Sequence, residues 1–357
     1  MGRPTIADIA REAGVSKGAV SFALNGRPGV SEQTRQRILQ VAAEMKWRPH
    51  SAARALGGAR VGARVGTVGL VLARPARTVG VEPFFAQLLS GLQAEFSGRS
   101  TALQLLIVED TAAEIEVYRR WTSEHRVDGF VLVDLQVRDP RIAVLEELGM
   151  PCVVLGGPGR HGSLPSVWAD DRAAMLSIVE YLAALGHRRI AHLAGLPAFQ
   201  HTQRRIRALR DAARRLGLTE ALSVPTDFSD AEGAAATRAL LARRERPTAI
   251  VYDSDVMAVA GLGVATEMGV RVPGELSIVS FDDSVLARIV HPPLTALSRD
   301  TFALGEQVAR TLLAVLDDLG AAVDLKTPTP RLTVRESTAV PRGRGSVPRG
   351  RGSVPQG

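Results

Sequence analysis

The chain has 357 residues, 45% of them hydrophobic, a formal net charge of +7 and a single cysteine, Cys152. That length leaves room for two or three domains with a sizeable core. One cysteine excludes an intramolecular disulfide and a cysteine metal cluster, and its setting in MPCVVLG marks a buried strand thiol.

The first element predicted is a helix from Thr5, which can act as N-cap with Asp8 three residues on, placing Ile6, Ile9 and Ala10 on one face. Gly14 ends it. Ser16 starts a second helix, in which Val20 and Leu24 face inward and Lys17, Gly18, Ser21 and Phe22 face outward. Two helices joined by so tight a turn make a helix-turn-helix: Ala10 permits the helix contact, Gly14 a positive φ, and Val20 the branched apolar wedge. A third helix, N-capped by Ser31, buries Ile38, Val41 and Ala42. The segment SAARAL that follows is shorter than the roughly 12 to 15 residues an isolated helix needs, so it is expected to order only beside a second copy on DNA.

Charge agrees with that reading. Residues 1–60 hold ten Lys and Arg against four Asp and Glu, and four more arginines follow Val340, so the middle of the chain is slightly acidic. Confinement of positive charge to the ends fits a headpiece that meets phosphates.

From Arg64 onward the pattern alternates. VGTVGLVLA, TALQLLIVED, VDGFVLVD, MPCVVLG, RRIAHLAG, PTAIVYD and LSIVSFDD read as short strands, with helices such as FFAQLLSGLQAEF and RAAMLSIVEYLAALG between them. This is a parallel α/β body long enough for two subdomains, with ligands expected at the C-terminal strand ends. GLGVAT at 261–266 lacks the third glycine of a dinucleotide fingerprint and lies inside a helix, so it reads as close helix packing. Phosphate-binding, zinc-protease and nucleophile-elbow motifs are missing, His187 and His192 read as structural, and neither an enzyme nor a cofactor is expected. The closing VPRGRGS repeat cannot build a core and is expected to be disordered. No apolar run approaches about 18 residues, and the N-terminus is polar rather than leader-like, so a cytoplasmic protein is expected.

TIADIAREAGVSKGAVSFALNG, the third helix and RPHSAARAL together resemble the headpiece and hinge of the LacI/GalR (lactose-repressor/galactose-repressor) family of bacterial transcription regulators. LAALGHRRIAHLAG, RPTAIVYDSDVMAVAGL, VPGELSIVSFDDS, PPLTAL and LTVRESTAVP extend the resemblance to about Val340. It implies an all-α helix-turn-helix headpiece plus an α/β periplasmic-binding-protein-like effector domain of two parallel-sheet subdomains. The domains would be a headpiece at 1–47, a hinge helix and linker at 48–60, an effector-binding and dimerisation domain at 61–340, and a basic Pro/Gly/Arg tail at 341–357.

Lys17, Gly18 and Phe22 would face base edges, Phe22 against a thymine methyl, although many relatives carry a polar residue there; a ring packed against the headpiece is the alternative. Thr5, Ser16, Ser21, Asn25 and Ser31 would meet phosphates. By resemblance Leu56 would wedge into the minor groove beside Ala53 and Arg54, with Gly57 and Gly58 as the joint.

Effector contacts are carried over to Arg205, with Arg204 or Arg207 as alternatives, to Ser254 or Asp255, and to Asp282. Phe84, Trp168, Tyr252 and Phe281 would offer ring faces, and Asp283 would cap the following helix. The implied protein is a homodimeric repressor binding operator DNA under control of a small molecule, a sugar first and a nucleobase second. A corepressor-dependent or activating regulator stays open, as does a solute-binding protein of similar body fold.

Overall fold

The computed structural model describes residues 4–24, 26–47, 64–159, 161–318 and 323–341. Asn25, the hinge residues Ala53, Arg54, Leu56, Gly57 and Gly58, and tail residues 342–357 lie outside them. The chain divides into two compact units, one ending at Val65 and one starting at Gly66.

The first unit is three helices, α1 (Ile6–Ala13), α2 (Lys17–Leu24) and α3 (Glu32–Glu44). Thr5 Oγ1 accepts the Asp8 amide while Asp8 Oδ2 accepts the Thr5 amide at 2.8 Å, a complete capping box. Gly14, at φ +63°, turns the chain in the left-handed region that a side chain resists. Ile9, Ala10, Ala13, Val20, Ala23, Ile38 and Ala42 form the core; Val41 and Leu24 pack on it but remain partly exposed. So small a core is supplemented by two arginines of α3. Arg35 donates to the Ala23 and Arg27 carbonyls at 3.0 and 2.8 Å, and Arg37 donates to the Ala13 carbonyl, closing the C-terminal ends of α2 and α1.

The second unit holds two six-stranded sheets. The first lobe contains β1 (Thr67–Ala73), β2 (Ala102–Val108), β3 (Gly129–Leu132), β4 (Cys152–Leu155), β5 (Ser166–Trp168) and β11 (Leu325–Lys326), in order β11-β5-β4-β3-β1-β2, all parallel. The second contains β6 (Arg189–Ala194), β7 (Glu220–Pro225), β8 (Ala249–Tyr252), β9 (Ser277–Ser280), β10 (Thr295–Ser298) and β12 (Arg331–Thr333), in order β12-β10-β9-β8-β6-β7. Here β12 runs antiparallel to β10, an exception to the all-parallel expectation. The seven strands read from sequence are β1 to β4, β6, β8 and β9. The other five are short, lie on sheet edges or carry polar residues, so their apolar signal is weak.

Helices α4 (Ala76–Val81), α5 (Pro83–Gly98), α6 (Thr111–Ser123) and α7 (Pro140–Glu147) follow strands of the first sheet, and α8 (Asp171–Ala184), α9 (Gln200–Leu216), α10 (Asp230–Leu241), α11 (Asp255–Glu267) and α12 (Val285–Ile289) belong to the second. The helix α13 (Thr301–Asp317) crosses back to pack on α5. There Gly91 and Gly305 sit so close to the opposing backbone that a Cβ on either would overlap it. Each sheet is covered on both faces: Leu70 and Leu72 point to α5 and α13, while Val71 points to Tyr118 and Trp121 of α6. Cys152 is buried among the latter group, and burial pushes its thiol well up. The chain crosses between lobes after β5, after β10 and after β11, so the C-terminal strand ends of both sheets flank one cleft.

Candidate nucleic-acid interface and effector cleft

On the headpiece, the first turn of α2 presents Lys17 and Gly18 to solvent, with Ser21 partly buried and Phe22 39% exposed. The Phe22 ring is not wholly free, because one edge rests against Gly29. Ser16 Oγ accepts the Ala19 amide at 3.1 Å and Ser31 Oγ the Thr34 amide at 3.2 Å, so these hydroxyls cap α2 and α3 while staying exposed. Thr5 has both hydroxyl roles engaged with Asp8. The sequence reading missed Arg35 and Arg37, whose spacing on α3 gave no sign that their charge closes helix ends instead of facing outward.

In the body, a cavity of about 100 Å³ lies between the lobes. Phe84, Trp168, Arg205, Ser254 and Asp282 line it, together with Arg74, Glu82, Asp134, Asp171, His201, Phe228, Asp253 and Arg299, which the sequence reading did not name. Most of these follow a strand end, and that position was the available signal. Asp255 lies beside a small adjoining pocket and accepts the Ser284 amide at 3.2 Å.

Tyr252 does not reach the cleft. Its side chain is fully buried on the α10/α11 face, with its hydroxyl 2.9 Å from that of Thr237 and its ring against Gly261, which is the close packing expected of GLGVAT. Strand alternation is the reason: Ile250 and Tyr252 face one way, and Asp253 turns into the cleft. Phe281 is likewise core, beneath the Arg205 guanidinium at 3.7 Å. Asp283 is not the cap of α12. Ser284 fills that role, accepting the Leu286 amide at 3.0 Å, while Asp283 pairs with Arg335 at 2.7 Å. Arg204 and Arg207 turn elsewhere, to the Pro158 and Gln203 carbonyls.

Three guanidiniums organise the charge. Arg205, 4% exposed, holds Asp171 at 2.9 Å and Asp253 at 3.1 Å. Burial pushes both carboxyls up, but the Arg205 charge outweighs it, and both sit below the usual carboxylate range. Asp253 also takes His192 Nε2 at 2.8 Å and the Gly195 amide at 2.9 Å. Arg74 binds Asp134 with two nitrogens, at 2.7 and 3.0 Å, and Glu82 at 3.1 Å. Burial raises Glu82 to about 8, with Arg74 opposing and Asp134, Asp282 and Asp255 adding to the rise. Arg299 pairs with Asp282. Burial, helped by Arg205, pushes His201 down to about 4, so it stands neutral at pH 7.

Cations cover the ring faces: Arg299 on Phe84 and Lys326 on Trp168, each at 5.0 Å, and Arg74 on Phe228 at 4.5 Å and Phe199 at 4.9 Å. Beside the cavity the lobes are stitched by main chain: the Val137 amide donates to the Ala198 carbonyl and the Gln200 amide to the Leu135 carbonyl, both at 2.8 Å, with Gln200 Nε2 on the Gln136 carbonyl at 3.0 Å.

Residues 5–50 match the model of the bacterial regulatory proteins, lacI family, and residues 179–338 match a periplasmic binding protein-like domain. The HTH-type transcriptional regulator CelR of Thermobifida fusca is 32% identical over 342 residues, covering 94% of this chain and 98% of the relative. A solved transcriptional regulator CelR-cellobiose complex is 30% identical with a TM-score of 0.70, covering 94% of this chain and 100% of that one. The Lac repressor dimer bound to operator and the anti-inducer ONPF shares the fold at a TM-score of 0.80 and 23% identity, over 95% of this chain and 100% of that one. Among the described residues, no helix is long and apolar enough to cross a membrane.

Proposed function

Because the chain belongs to the lacI family of bacterial regulatory proteins and is a helix-turn-helix transcriptional regulator, we propose that it is a repressor whose operator affinity is set by a sugar held between the two lobes. The observation that carries the ligand half is the convergence of carboxylates, guanidiniums and aromatic rings from both lobes on one cavity at the strand ends. Carboxylates accept hydroxyl protons and guanidiniums donate to ring and hydroxyl oxygens. A similar protein was solved with cellobiose, which supports a sugar over a nucleobase.

In this reading Phe84, Trp168, Arg205, Ser254 and Asp282 contact the effector, and Asp255 steadies the Ser284 turn. On the DNA side, Lys17, Gly18, Ser21 and Phe22 meet bases. Thr5, Ser16, Asn25 and Ser31 meet phosphates, and Ala53, Arg54 and Leu56 enter the minor groove. The working form is a cytoplasmic homodimer without catalytic activity. Two surfaces of the body support a dimer: the edge strand β2 is apolar yet nowhere fully buried, and α12 exposes Val285 at 52% and Ile289 at 61%. Effector and operator then act on each other reciprocally, each changing the other's affinity by the same factor.

The test is selection of operator duplexes from a random pool at physiological salt, repeated with a sugar panel. An enriched near-palindrome released by one sugar supports the reading. Enrichment that every sugar leaves unchanged removes the sugar from it, and failure to enrich any sequence removes the operator.

A further inference from the structure

The cleft is unevenly charged. Five carboxyl groups line it against three guanidiniums, and the four aspartates alone outnumber the arginines; all three guanidiniums are already committed to carboxyl groups. Glu82, Asp171 and Asp282 each bring only one oxygen into those pairs: Glu82 Oε1 to Arg74, Asp171 Oδ1 to Arg205, Asp282 Oδ1 to Arg299. Their second oxygens have no protein donor among the described residues, yet are not sealed off as buried orphans. The one buried guanidinium nitrogen left without a partner there is Arg299 Nε. An incoming ligand therefore meets acceptors from both lobes, while an anion finds no guanidinium that is free of a carboxyl partner. His201 adds no positive charge, being neutral, and Glu82, raised to about 8, keeps its proton on most molecules at pH 7 until a cation beside it draws out the carboxylate.

We propose that the effector is a sugar bearing an ammonium group, held where the free oxygens of Glu82 from the first lobe and Asp282 from the second face the cleft. An ammonium supplies three donors and one charge, meeting both the open acceptors and the charge imbalance while joining the two lobes. A neutral sugar meets only the first, and a uronic acid opposes both. This inference rests on the sugar reading of the cleft.

The test is isothermal titration of the full-length protein at pH 7 with glucose, galactose and mannose, their 2-amino-2-deoxy counterparts and the corresponding uronic acids. The expected result is an amino sugar binding at least tenfold tighter than its neutral parent, with no uronic acid bound. Glu82→Gln and Asp282→Asn should each shrink that preference about tenfold, with thermal melts confirming that both variants fold. A neutral parent binding as tightly as its amine overturns the proposal and leaves the sugar reading standing, as does a uronic acid binding best. Absence of binding by every member overturns both. The wild-type panel decides the matter even if a variant fails to fold.

Discussion

Replacing Arg205 by Met tests whether the cleft is organised around one buried guanidinium. The substitution keeps an unbranched apolar stem over Phe281 but strands two carboxylates, Asp253 at 0% and Asp171 at 13% side-chain exposure. Asp253 retains His192 and the Gly195 amide, whereas Asp171 loses its ion-pair partner. Breaking a buried pair in this way costs about 3–5 kcal/mol, a large part of the roughly 5–15 kcal/mol that holds a domain folded. Urea unfolding followed by tryptophan fluorescence, in a Trp47→Phe background so that Trp121 and Trp168 of the body report, should show that loss at pH 7.

The pH dependence gives a second arm. In the wild type both carboxyls lie below their unfolded value of about 3.9, so their contribution is present above that pH and fades as pH falls through the folded values. Without Arg205, burial raises them instead, so they protonate earlier in the folded variant and the deficit should narrow toward pH 4. A deficit below about 1 kcal/mol at pH 7, or one unchanged by acid, refutes the hub.

Glu82 should behave oppositely. Its carboxyl rises from an ordinary 4.5 to about 8, so the stability it contributes is complete at low pH and is lost as pH climbs through 8; Glu82→Gln, read by thermal unfolding, should match wild type near pH 5 and exceed it at pH 9. Arg35→Met removes both charge-assisted bonds at the end of α2, and at about 1.5–3 kcal/mol should speed amide exchange across residues 5–47 by roughly ten- to a hundredfold. Unaltered exchange would show that the core alone holds the headpiece. Phe22→Arg should redirect operator preference in the selection assay, and an unchanged consensus places Phe22 with Gly29 as packing. Leu56→Ala should weaken specific operator binding far more than nonspecific binding; equal losses would exclude a wedge.

How much was legible depended on how local each signal was. The headpiece is written in short-range chemistry: the Thr5 and Asp8 spacing, Gly14, and apolar positions three and four apart, all present in the structure. The strands read from sequence carry apolar runs whether they span four residues, as β3 and β8 do, or seven, as β1 does, whereas β5, β7, β10, β11 and β12 are as short as two residues or interleave Ser, Thr and charged residues. In the cleft, Tyr252 was misplaced because a strand end offers two faces, and aromatic character does not say which one a side chain takes. Arg74 and Asp134 went unnamed because they lie 60 positions apart and only the sheet brings their strand ends together, and Glu82 because it sits between two helices, away from any strand end.

The main-chain stitch between residues 135–137 and 198–200 also bears on timing. Backbone bonds do not depend on which side chains line the chamber, so their opening rate is a property of the scaffold. A molecule enclosed behind them departs no faster than the lobes part, however weak its own contacts. Weakening the side-chain contacts would then shorten a ligand's stay only down to the mean interval between openings, so the main chain between the lobes sets the fastest rate at which the signal can be cleared.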